Sequence, residues 1–425
     1  MKGPVMSELT PNSELRPRSE LRTRSSAATF PGIARHGRLR KSSPLGTIAR
    51  LTAAALAIVL VSGASVGAIA VNSLTSKTTV VDIPQAADGP LPAVGAIEGG
   101  FNILIAGSDT REGQGGIGGT TEDDSGNLND VTMLLHVSQD QTNAVAISIP
   151  RDMVVRIPDC TDADEYTKPF SSEPMNTAMS YGGLSCIAKT VTELTGLPIQ
   201  YAGLIKFSGV IAMSDAIGGV DVCVDGPMVD PNTGINLPEA GTYTLQGFDA
   251  LAFLRSRAAV GDGSDLTRIS SQQVFLSALV RQLKSSETLG DVGKVYGIAN
   301  AALSNMTLSS TLSSPATMVS IAQALKNIPV EKVTFVQYPG TTGGEGIYAG
   351  KVRPDSYAGD ALIEFLKNDE PFVLEAAGED AGSTLDPNAP VAPSASATAD
   401  PSVPVLDGVR GTTAAKYTCT ITNDY

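Results

Sequence analysis

Short apolar runs alternate with amphipathic segments over residues 99–370 of this chain. Continuous apolar runs of strand length are typical of buried β-strands, and they lie at 101–106, 131–137, 144–149, 201–207, 220–224 and 332–338. Apolar residues spaced three and four apart predict helices, and these lie at 175–181, 184–194, 210–217, 246–254, 270–283 and 316–325. Strands that alternate with helices predict a layered α/β domain whose central sheet is covered by helices on both faces.

A different pattern precedes this domain. Residues 51–71 carry no charged side chain, and the run is long enough to span a bilayer as one helix. Residues 1–50 hold ten Lys and Arg against three acidic residues, so the positive-inside rule predicts a cytoplasmic N-terminus. A cleaved signal peptide is the alternative, because Ala68 and Ala70 form a small-x-small cleavage pattern. Both interpretations place the rest of the chain outside the cytoplasm, and we expect a single-pass anchor in the cell membrane.

Composition shifts along the chain predict its further division. The basic head is rich in Ser, Arg and Pro, which is typical of disorder, and a second low-complexity stretch is rich in Ala, Pro and Ser. We expect a disordered head (1–50), a transmembrane helix (51–71), a linker (72–98), a folded domain (99–375), a second linker (376–405) and a short tail (406–425).

Charge and histidine content exclude two classes of function. The formal net charge is −14 although the head is basic, so the rest of the chain is acidic and unsuited to general nucleic-acid binding. The chain has two histidines, His36 in the head and His136 inside the apolar run 131–137. We expect His136 to be a buried core residue. A single histidine in the folded domain makes a His-rich zinc site a poor interpretation.

The four cysteines all lie in the part of the chain that is predicted to be exported. An even number of cysteines outside the cytoplasm favours disulfides, and no pair has the CxxC spacing of a metal knuckle. We predict that Cys160 pairs with Cys186, which ties a polar loop to the following helix, and that Cys223 pairs with Cys419. Buried free thiols are the alternative.

Acidic and basic residues flank three of the predicted strands. Asp109 and Arg111 follow the strand 101–106, Asp130 precedes 131–137, and Arg151 and Asp152 follow 144–149. Loops at strand ends are where α/β sheets bind ligands. Carboxylates bind Mg²⁺ together with phosphate oxygens, and arginine binds phosphate through two parallel hydrogen bonds. This set therefore favours a metal–phosphate site, with turn capping and surface ion pairs as the alternatives.

A second cluster contains arginine and no lysine. Arg255 and Arg257 lie at the end of one predicted helix, and Arg268 and Gln272 share a face of the next. Such a concentration of arginine in an acidic chain favours an anion-binding site. The glycine-rich run 113–119 lacks the GK[ST] ending of a phosphate-binding loop, and we interpret it as a mobile surface loop.

Eight sequence blocks together resemble the LytR-CpsA-Psr family. They occur in the family's order between residues 101 and 276 and read GSDTR, NDVTMLLHV, SIPRD, MNTAMSYGG, TVTELTGLPI, DAIGGVDV, GTYTLQGFDALAFLRSR and DLTRISSQQ. The resemblance implies an α-β-α fold with a central mixed sheet after one transmembrane helix. It also implies a phosphotransferase, dependent on Mg²⁺ or Mn²⁺, that moves a polyprenyl-pyrophosphate-linked glycopolymer onto peptidoglycan.

The resemblance also implies roles for individual residues. Asp109 and Asp130 would bind the metal, Asp109 or Asp152 would accept a proton, and Asp152 would support Arg151 or the metal. The expected substrate-binding residues are Arg111, Arg151, Arg255, Arg257, Arg268 and Gln272, and the expected catalytic residues are Asp109, Asp152, Arg255 and Arg257. The chain departs from the family where Leu128, Pro174 and Ser271 replace basic residues. Lys168 is a candidate replacement for the lysine missing at Pro174.

Several alternatives stay open at the level of the sequence. The helical stripe at 274–283 either lines an apolar slot for the lipid or belongs to the core. A hydrolase of the same lipid and a non-catalytic wall regulator are the alternative functions, although the retained acids and arginines argue against the regulator. The Ala- and Gly-rich acidic composition suggests an actinobacterium and therefore arabinogalactan as the polymer. The expected partners are the lipid-linked glycan donor, the peptidoglycan acceptor and the membrane.

The anchor prediction has a direct test. Because the head is expected inside and the domain outside, protease treatment of intact, wall-stripped cells should digest the domain and leave a protected fragment containing residues 1–50. Immunoblotting with antibodies against each end measures this. A C-terminus that resists the protease until the cells are lysed would contradict the topology.

Overall fold

The computed structural model describes residues 78–84, 99–109, 128–162, 164–285, 291–375, 378–390 and 403–423, with the separate positions 48, 49, 52, 53, 55, 57 and 288. The chain divides into two units, Met1–Ser65 and Val66–Tyr425. In the first unit the described positions are helical, and Thr52 Oγ1 donates to the Ile48 carbonyl at 3.0 Å. Most of the predicted span 51–71 and the glycine-rich run 113–119 lie outside the described residues. Within the described part, no helix is both long and apolar enough to cross a membrane.

The second unit contains the predicted α/β domain. Its strands are β1 (Thr79–Val81), β2 (Phe101–Ser108), β3 (Asn129–Val137), β4 (Ala144–Ile149), β5 (Val154–Ile157), β6 (Cys160–Thr161), β7 (Thr167–Lys168), β8 (Ser171–Pro174), β9 (Tyr201–Ile205), β10 (Val220–Val224), β11 (Met228–Asp230), β12 (Ile235–Leu237), β13 (Gly241–Leu245), β14 (Met306–Ser309), β15 (Val333–Gln337), β16 (Gly340–Thr342), β17 (Val352–Pro354), β18 (Val373–Leu374), β19 (Ser383–Leu385), β20 (Val405–Leu406), β21 (Gly411–Thr413) and β22 (Thr418–Thr420). Its helices are α1 (Ala178–Thr195), α2 (Phe207–Ile217), α3 (Gly247–Arg255), α4 (Asp265–Lys284), α5 (Val292–Asn305), α6 (Pro315–Asn327) and α7 (Ser356–Lys367).

The central sheet is mixed, as expected. Its strand order is β1-β14-β9-β2-β3-β4-β15-β21. Strands β2, β3 and β4 form an antiparallel meander, whereas β9 and β15 run parallel to β2 and β4. The ends of β2 and β4, the start of β3 and the end of β15 therefore lie at one edge of the sheet. We call this edge the catalytic edge, because the predicted site residues flank it.

Alternate residues of the central strands pack on opposite faces of the sheet. Leu104 and Ile147 belong to a core that contains residues of α1 and α7. Phe101 and Ala146 belong to a second core that contains residues of α6, with α4 packed against it. The alternation follows from the two-residue period of a β-strand. Helices therefore cover both faces of the sheet, which gives the α-β-α layering that was expected.

A smaller sheet, ordered β13-β10-β22-β19, packs against α3 and α4. Two of its strands come from residues 383–385 and 418–420, which the sequence analysis assigned to a linker and a tail. In addition, β21 is the outermost strand of the central sheet and pairs with β15. The C-terminal residues thus contribute strands to both sheets. The sequence did not predict these strands, because three residues are too few to show a hydrophobic period.

Both predicted disulfides are present, and the alternative of buried free thiols is wrong. Cys160–Cys186 joins β6 to α1, and Cys223–Cys419 joins the neighbouring strands β10 and β22. His136 is buried in β3, as expected, and its Nδ1 lies 2.8 Å from Asn102 Oδ1. Burial lowers the pKa of His136, although the nearby Asp369 opposes this.

The two helices predicted at 175–181 and 184–194 meet at a kink. A 3₁₀ turn at Met175–Thr177 leads into α1, which is interrupted at Gly182 and Gly183. Gly183 has φ 59° and ψ −146°, a conformation that is open almost only to glycine. The kink lies beside the Cys160–Cys186 disulfide, since a Cβ added at Gly182 would lie 3.5 Å from Cys160 Cβ.

We expect Gly183→Ala to lower the free energy of unfolding by about 1–3 kcal/mol, because alanine is strained in this conformation. Urea unfolding followed by circular dichroism measures this. The control is Gly297→Ala in α5, where an added Cβ would meet Ala216 Cβ at an ordinary 3.7 Å. Helix propensity should make that variant more stable by about 0.5–1 kcal/mol. Equal effects of the two substitutions would contradict the strain argument.

Candidate active site

Strand register brings the predicted acids together at the catalytic edge. Ser108 of β2 pairs with Asn129 of β3, so Asp109 and Asp130 lie at adjacent strand ends. Asp109 is fixed there by its neighbour Leu128: the Asp109 amide donates to the Leu128 carbonyl at 3.2 Å, and the Leu128 amide donates to Asp109 Oδ1 at 3.1 Å. Leu128, one of the departures from the family pattern, therefore contributes through its backbone.

Electrostatics distinguishes Asp109 from the other acids. Burial, followed by the charge of Asp130, raises the pKa of Asp109 from 3.8 to about 6, although the Leu128 hydrogen bond and Arg151 oppose this. A carboxylate that is repelled by a neighbouring carboxylate is stabilised by a cation bound to both. Oxygen donors are the ligands that Mg²⁺ and Mn²⁺ prefer. The donor set and its charge thus fit a hard divalent cation.

Arg151 connects these acids to the rest of the site. Its Nη1 forms an ion pair with Asp130, and its Nε lies 3.7 Å from Asp265 Oδ1 and 3.8 Å from Asp152 Oδ2. Burial lowers the pKa of Arg151, but the surrounding carboxylates outweigh it, so the pKa is raised overall. Nε is buried without a hydrogen-bond partner in the described part of the chain, which leaves a donor for a ligand.

Asp152 lies among three cations. Besides Arg151, its carboxylate lies 3.6 Å from Arg257 Nη2 and 3.2 Å from Lys351 Nζ. A carboxylate that shares its charge with three cations orients them and is poorly placed to accept a proton. Of the two roles that were open for Asp152, this geometry favours support of Arg151 over binding of a metal.

Arg268 and Gln272 of α4 occupy a buried position behind the edge. Arg268 Nη2 donates to Asp265 Oδ1 at 2.5 Å and to the Asp130 carbonyl at 3.0 Å. Burial lowers the pKa of Arg268, and Asp265 partly offsets this. Gln272 Nε2 donates to the Leu254 carbonyl at 2.9 Å, which ties α4 to the end of α3 beside Arg255.

The loop that joins Arg257 to α4 is held by the C-terminal residues. The Gly261 amide donates to the Ile421 carbonyl at 3.0 Å, and the Asn423 amide donates to the Ala259 carbonyl at 3.1 Å. Thr420 Oγ1 donates to Ser271 Oγ at 3.3 Å. Ser271, a second departure from the family pattern, is therefore buried against the C-terminal strand β22.

A mostly apolar cavity of about 270 Å³ opens beside these charges. The charged and polar residues that line it include Asp130, Lys206, Arg255, Arg268 and Gln272, and its apolar lining includes Phe207, Met213, Leu251, Phe275, Leu276 and Leu279. The guanidinium carbon of Arg255 lies 4.5 Å from the centroid of the Phe207 ring. One cavity thus combines an apolar slot with anion-binding groups.

The stripe at 274–283 contributes to both the cavity and the core. Leu276 and Leu279 line the cavity, Val274 and Ala278 belong to the core against the smaller sheet, and Phe275 does both.

The structure does not bring every candidate to the site. Arg111 lies outside the described residues. Lys168 forms an ion pair with Glu173 at 3.2 Å, and its Nζ lies 3.2 Å from the Tyr181 ring centroid. Those partners on β8 and α1 hold Lys168, so it does not supply the missing cation.

Three charged residues were not singled out from the sequence. Asp265 accepts hydrogen bonds from Arg268 and from the Arg151 amide, at 2.5 and 3.0 Å. Lys206 lines the cavity, and Lys351 contacts Asp152. Asp265 and Lys206 had a local signal, since one opens the DLTR block and the other follows a strand. Lys351 follows Asp152 by 199 residues, and sequence spacing carries no signal for it.

Comparison with known proteins is consistent with this arrangement. The model of the LytR_cpsA_psr family matches residues 66–359. The chain belongs to the LytR-CpsA-Psr family. It is 31% identical over 282 residues to the cell wall biosynthesis protein LcpA of Corynebacterium glutamicum, which covers 60% of this chain and 53% of that protein. It is 26% identical over 313 residues to the polyisoprenyl-teichoic acid–peptidoglycan teichoic acid transferase TagT of Bacillus subtilis, which covers 72% of this chain and 90% of TagT.

Solved structures of LytR-CpsA-Psr proteins share the fold. The enzyme of Actinomyces oris superposes with a TM-score of 0.50 at 21% identity, covering 68% of this chain and 96% of that one. TagV of B. subtilis superposes with a TM-score of 0.50 at 21% identity, covering 64% of this chain and 97% of that one. The chain spans about half the length of the two C. glutamicum relatives, LcpA (53%) and LcpB (48%).

The raised pKa of Asp109 predicts a stability effect with a definite sign. An acid with a raised folded-state pKa costs the folded protein nothing below pH 3.8, and the cost grows up to about pH 6 and then stays constant. In metal-free protein, Asp109→Asn should therefore increase the free energy of unfolding at pH 7.5 by about 1–2 kcal/mol. The gain should vanish near pH 4.

Urea unfolding at both pH values after treatment with a chelator measures this effect. The control is Asp140→Asn, because hydrogen bonds from Ser138 and Thr142 lower the pKa of Asp140 and predict the opposite sign. If Asp109→Asn destabilises the protein at pH 7.5, the pKa of Asp109 is not raised by burial and by Asp130 as described above.

Proposed function

We propose that this chain is a phosphotransferase that transfers a polyprenyl-pyrophosphate-linked glycopolymer onto peptidoglycan. The observation that carries this proposal is the single cavity in which apolar side chains adjoin Arg255, Arg268 and Gln272. A lipid pyrophosphate has the same two parts, an apolar chain and a compact anion. Apolar contact suits the chain, and arginine suits the anion.

The acids at the catalytic edge would hold the divalent cation. Asp109 and Asp130 supply oxygen ligands, and Mg²⁺ or Mn²⁺ bound there would neutralise charge on the phosphate oxygens. Asp130 also holds Arg151 through an ion pair, so one carboxylate serves both groups. With Asp130 shared in this way, the cation and Arg151 would contact the same anion.

The remaining residues divide the work of the transfer. A sugar hydroxyl attacks the phosphorus next to the glycan, the P–O–P bond breaks, and polyprenyl phosphate leaves. Arg151, Arg255 and Arg257 stabilise the negative charge that develops on the phosphate oxygens. Asp152 orients Arg151 and Arg257 through its ion pairs. Of the two candidate acids, Asp109 is the one whose pKa burial raises, and we assign it as the acceptor of the hydroxyl proton.

The polymer and the location complete the proposal. The relatives include a cell wall biosynthesis protein of C. glutamicum and a teichoic acid transferase of B. subtilis. The acidic, Ala- and Gly-rich composition favours an actinobacterial polymer, and we propose arabinogalactan. Residues 51–71 would anchor the chain with its catalytic domain outside the cytoplasm.

A transfer assay with the full chain tests the proposal. Purified protein receives a lipid-pyrophosphate-linked glycan, peptidoglycan and Mg²⁺, and covalently attached glycan is measured. We expect transfer to require both the peptidoglycan and the cation. Release of glycan phosphate at the same rate without peptidoglycan would instead identify a hydrolase.

Arginine-to-lysine variants test the role of the arginines in that assay. Lysine keeps the charge but lacks the paired donors and the planar group that stacks on Phe207. We expect Arg255→Lys or Arg257→Lys to slow transfer roughly 30- to 1000-fold, equivalent to about 2–4 kcal/mol of transition-state stabilisation.

The matched control for these variants is Arg156→Lys. Arg156 also lies over an aromatic ring, Phe170 at 5.0 Å, and beside an acid, Glu193 at 3.5 Å, but it is exposed on β5. We expect this control to transfer at the wild-type rate. Near wild-type transfer by both site variants would show that the arginines form ordinary ion pairs.

A further inference from the structure

A second, polar groove of about 210 Å³ lies beside the catalytic edge. One wall is formed by the start of α4 and the loop before it, and the other by the end of β15 and by β16. The residues whose side chains matter here are Thr267, Ser270, Gln337, Thr341, Thr342 and Arg410. The transfer chemistry described above does not use any of them.

Both walls of the groove also contact the catalytic residues. In α4, Asp265 lies between the groove residues Ser264 and Leu266, and it binds Arg151 and Arg268. On the other side, β16 pairs with β17, whose Val352 amide donates to the Asp152 carbonyl at 3.0 Å. The preceding Lys351 reaches the Asp152 side chain. A molecule bound in the groove therefore lies next to the phosphate site.

Gln337 is the strongest indication of a ligand. It is the last residue of β15 and is 6% exposed. Its side chain lines the groove, and the side-chain amide makes no hydrogen bond with the described residues, whereas the backbone amide donates to the Arg410 carbonyl at 2.9 Å. Buried polar side chains normally have hydrogen-bond partners. The side-chain amide of Gln337 can therefore donate to and accept from a ligand in the groove.

The charges in the groove are largely satisfied by the protein itself. Asp380 accepts hydrogen bonds from Ser270 Oγ at 2.7 Å and from the Ser383 amide at 2.8 Å. Asp262 accepts hydrogen bonds from the Ser264 amide at 2.9 Å and from Thr267 Oγ1 at 3.1 Å. What remains for a ligand is an amide, the hydroxyls of Thr341 and Thr342, and the guanidinium of Arg410. This set suits a neutral molecule rich in hydroxyls better than it suits a phosphate or a lipid.

We propose that this groove binds the sugar of the acceptor glycan and presents its hydroxyl to the phosphate site. The inference rests on the proposed transferase function and specifies where the second substrate lies. Gln337 and Thr341 would bind ring hydroxyls or an N-acetyl group through hydrogen bonds. Asp380, Ala381 and Arg410 lie beyond residues 66–359, so the groove is formed partly by residues outside the region that matches the family model.

The test separates acceptor binding from donor binding. The variants are Gln337→Met, which removes the amide at similar volume, and Thr341→Val, with Thr341→Ser as the conservative variant. Transfer is measured against the concentration of soluble glycan strands released from peptidoglycan, at saturating donor. Loss of one neutral hydrogen bond should raise the apparent KM for these strands roughly 3- to 10-fold. The apparent KM for the donor should stay unchanged, and Thr341→Ser should restore the wild-type value.

Two further measurements make every outcome decisive. Gln323→Met on the exposed face of α6 is the control and should change neither KM. Separately, the side-chain amide resonance of Gln337 is followed by NMR as glycan strands are added without donor. If the resonance shifts but the transfer assay with donor gives no product, the groove is retained and the transferase function is rejected.

An unchanged acceptor KM in both groove variants, with transfer intact, would overturn the proposal. An amide resonance that does not respond to the strands would do the same. If Gln337→Met does not fold, the exposed Thr341 carries the decision alone, since its substitution on β16 removes no buried contact.

Discussion

The site depends on the contacts of the buried Asp265 carboxylate with Arg151 and Arg268. Asp265 is 3% exposed, and it binds the Arg151 amide, the Arg151 side chain and Arg268, which is itself 3% exposed. A buried charge without partners costs several kcal/mol, so this acid and these arginines hold each other in place. The first turn of α4 is thereby fixed to the loop after β4. The acids proposed to bind the metal, the arginines proposed to bind phosphate and both cavities are all arranged around that junction.

Helix α4 separates environments of different polarity. Phe275 and Leu276 face the apolar cavity, Asp265 and Arg268 face the charged edge, and Thr267 lines the polar groove. The lipid, pyrophosphate and sugar of the proposed reaction would each contact a different one of these three environments, since each suits a different kind of surface. One helix of 20 residues borders all three environments, because successive side chains point in different directions around the helix axis.

The sequence predicted the central strands and the residues at their ends, and the physical reason is local. Apolar runs such as 144–149 are continuous because both faces of the strand are buried. Asp109 and Arg151 followed such runs directly. Helix α7 was missed although Asp355 caps it and Leu362 and Leu366 repeat at helical spacing.

Other features had no signal in the sequence at all. Lys351 contacts Asp152 across 199 residues, and β22 consists of three residues whose partner strand is far away in the chain. The groove had no signal in the sequence either, because Gln337 lines it together with residues of α4 and Arg410, which are distant in the chain. Pairings of this kind are set by the tertiary fold, which periodicity does not report.

The disulfide between Cys223 and Cys419 has a consequence for the order of folding. The two cysteines are separated by 196 residues, whereas β10 pairs with β13 after a short connection. Strand β10 can therefore pair with β13 before β22 has been synthesised, whereas Cys223 can form its native disulfide only afterwards. The loop between Arg257 and Arg268 is held by Ile421 and Asn423, so it also waits. Because contacts this distant in sequence require the closure of a long loop, we expect the loop after Arg257 to reach its final geometry late in folding.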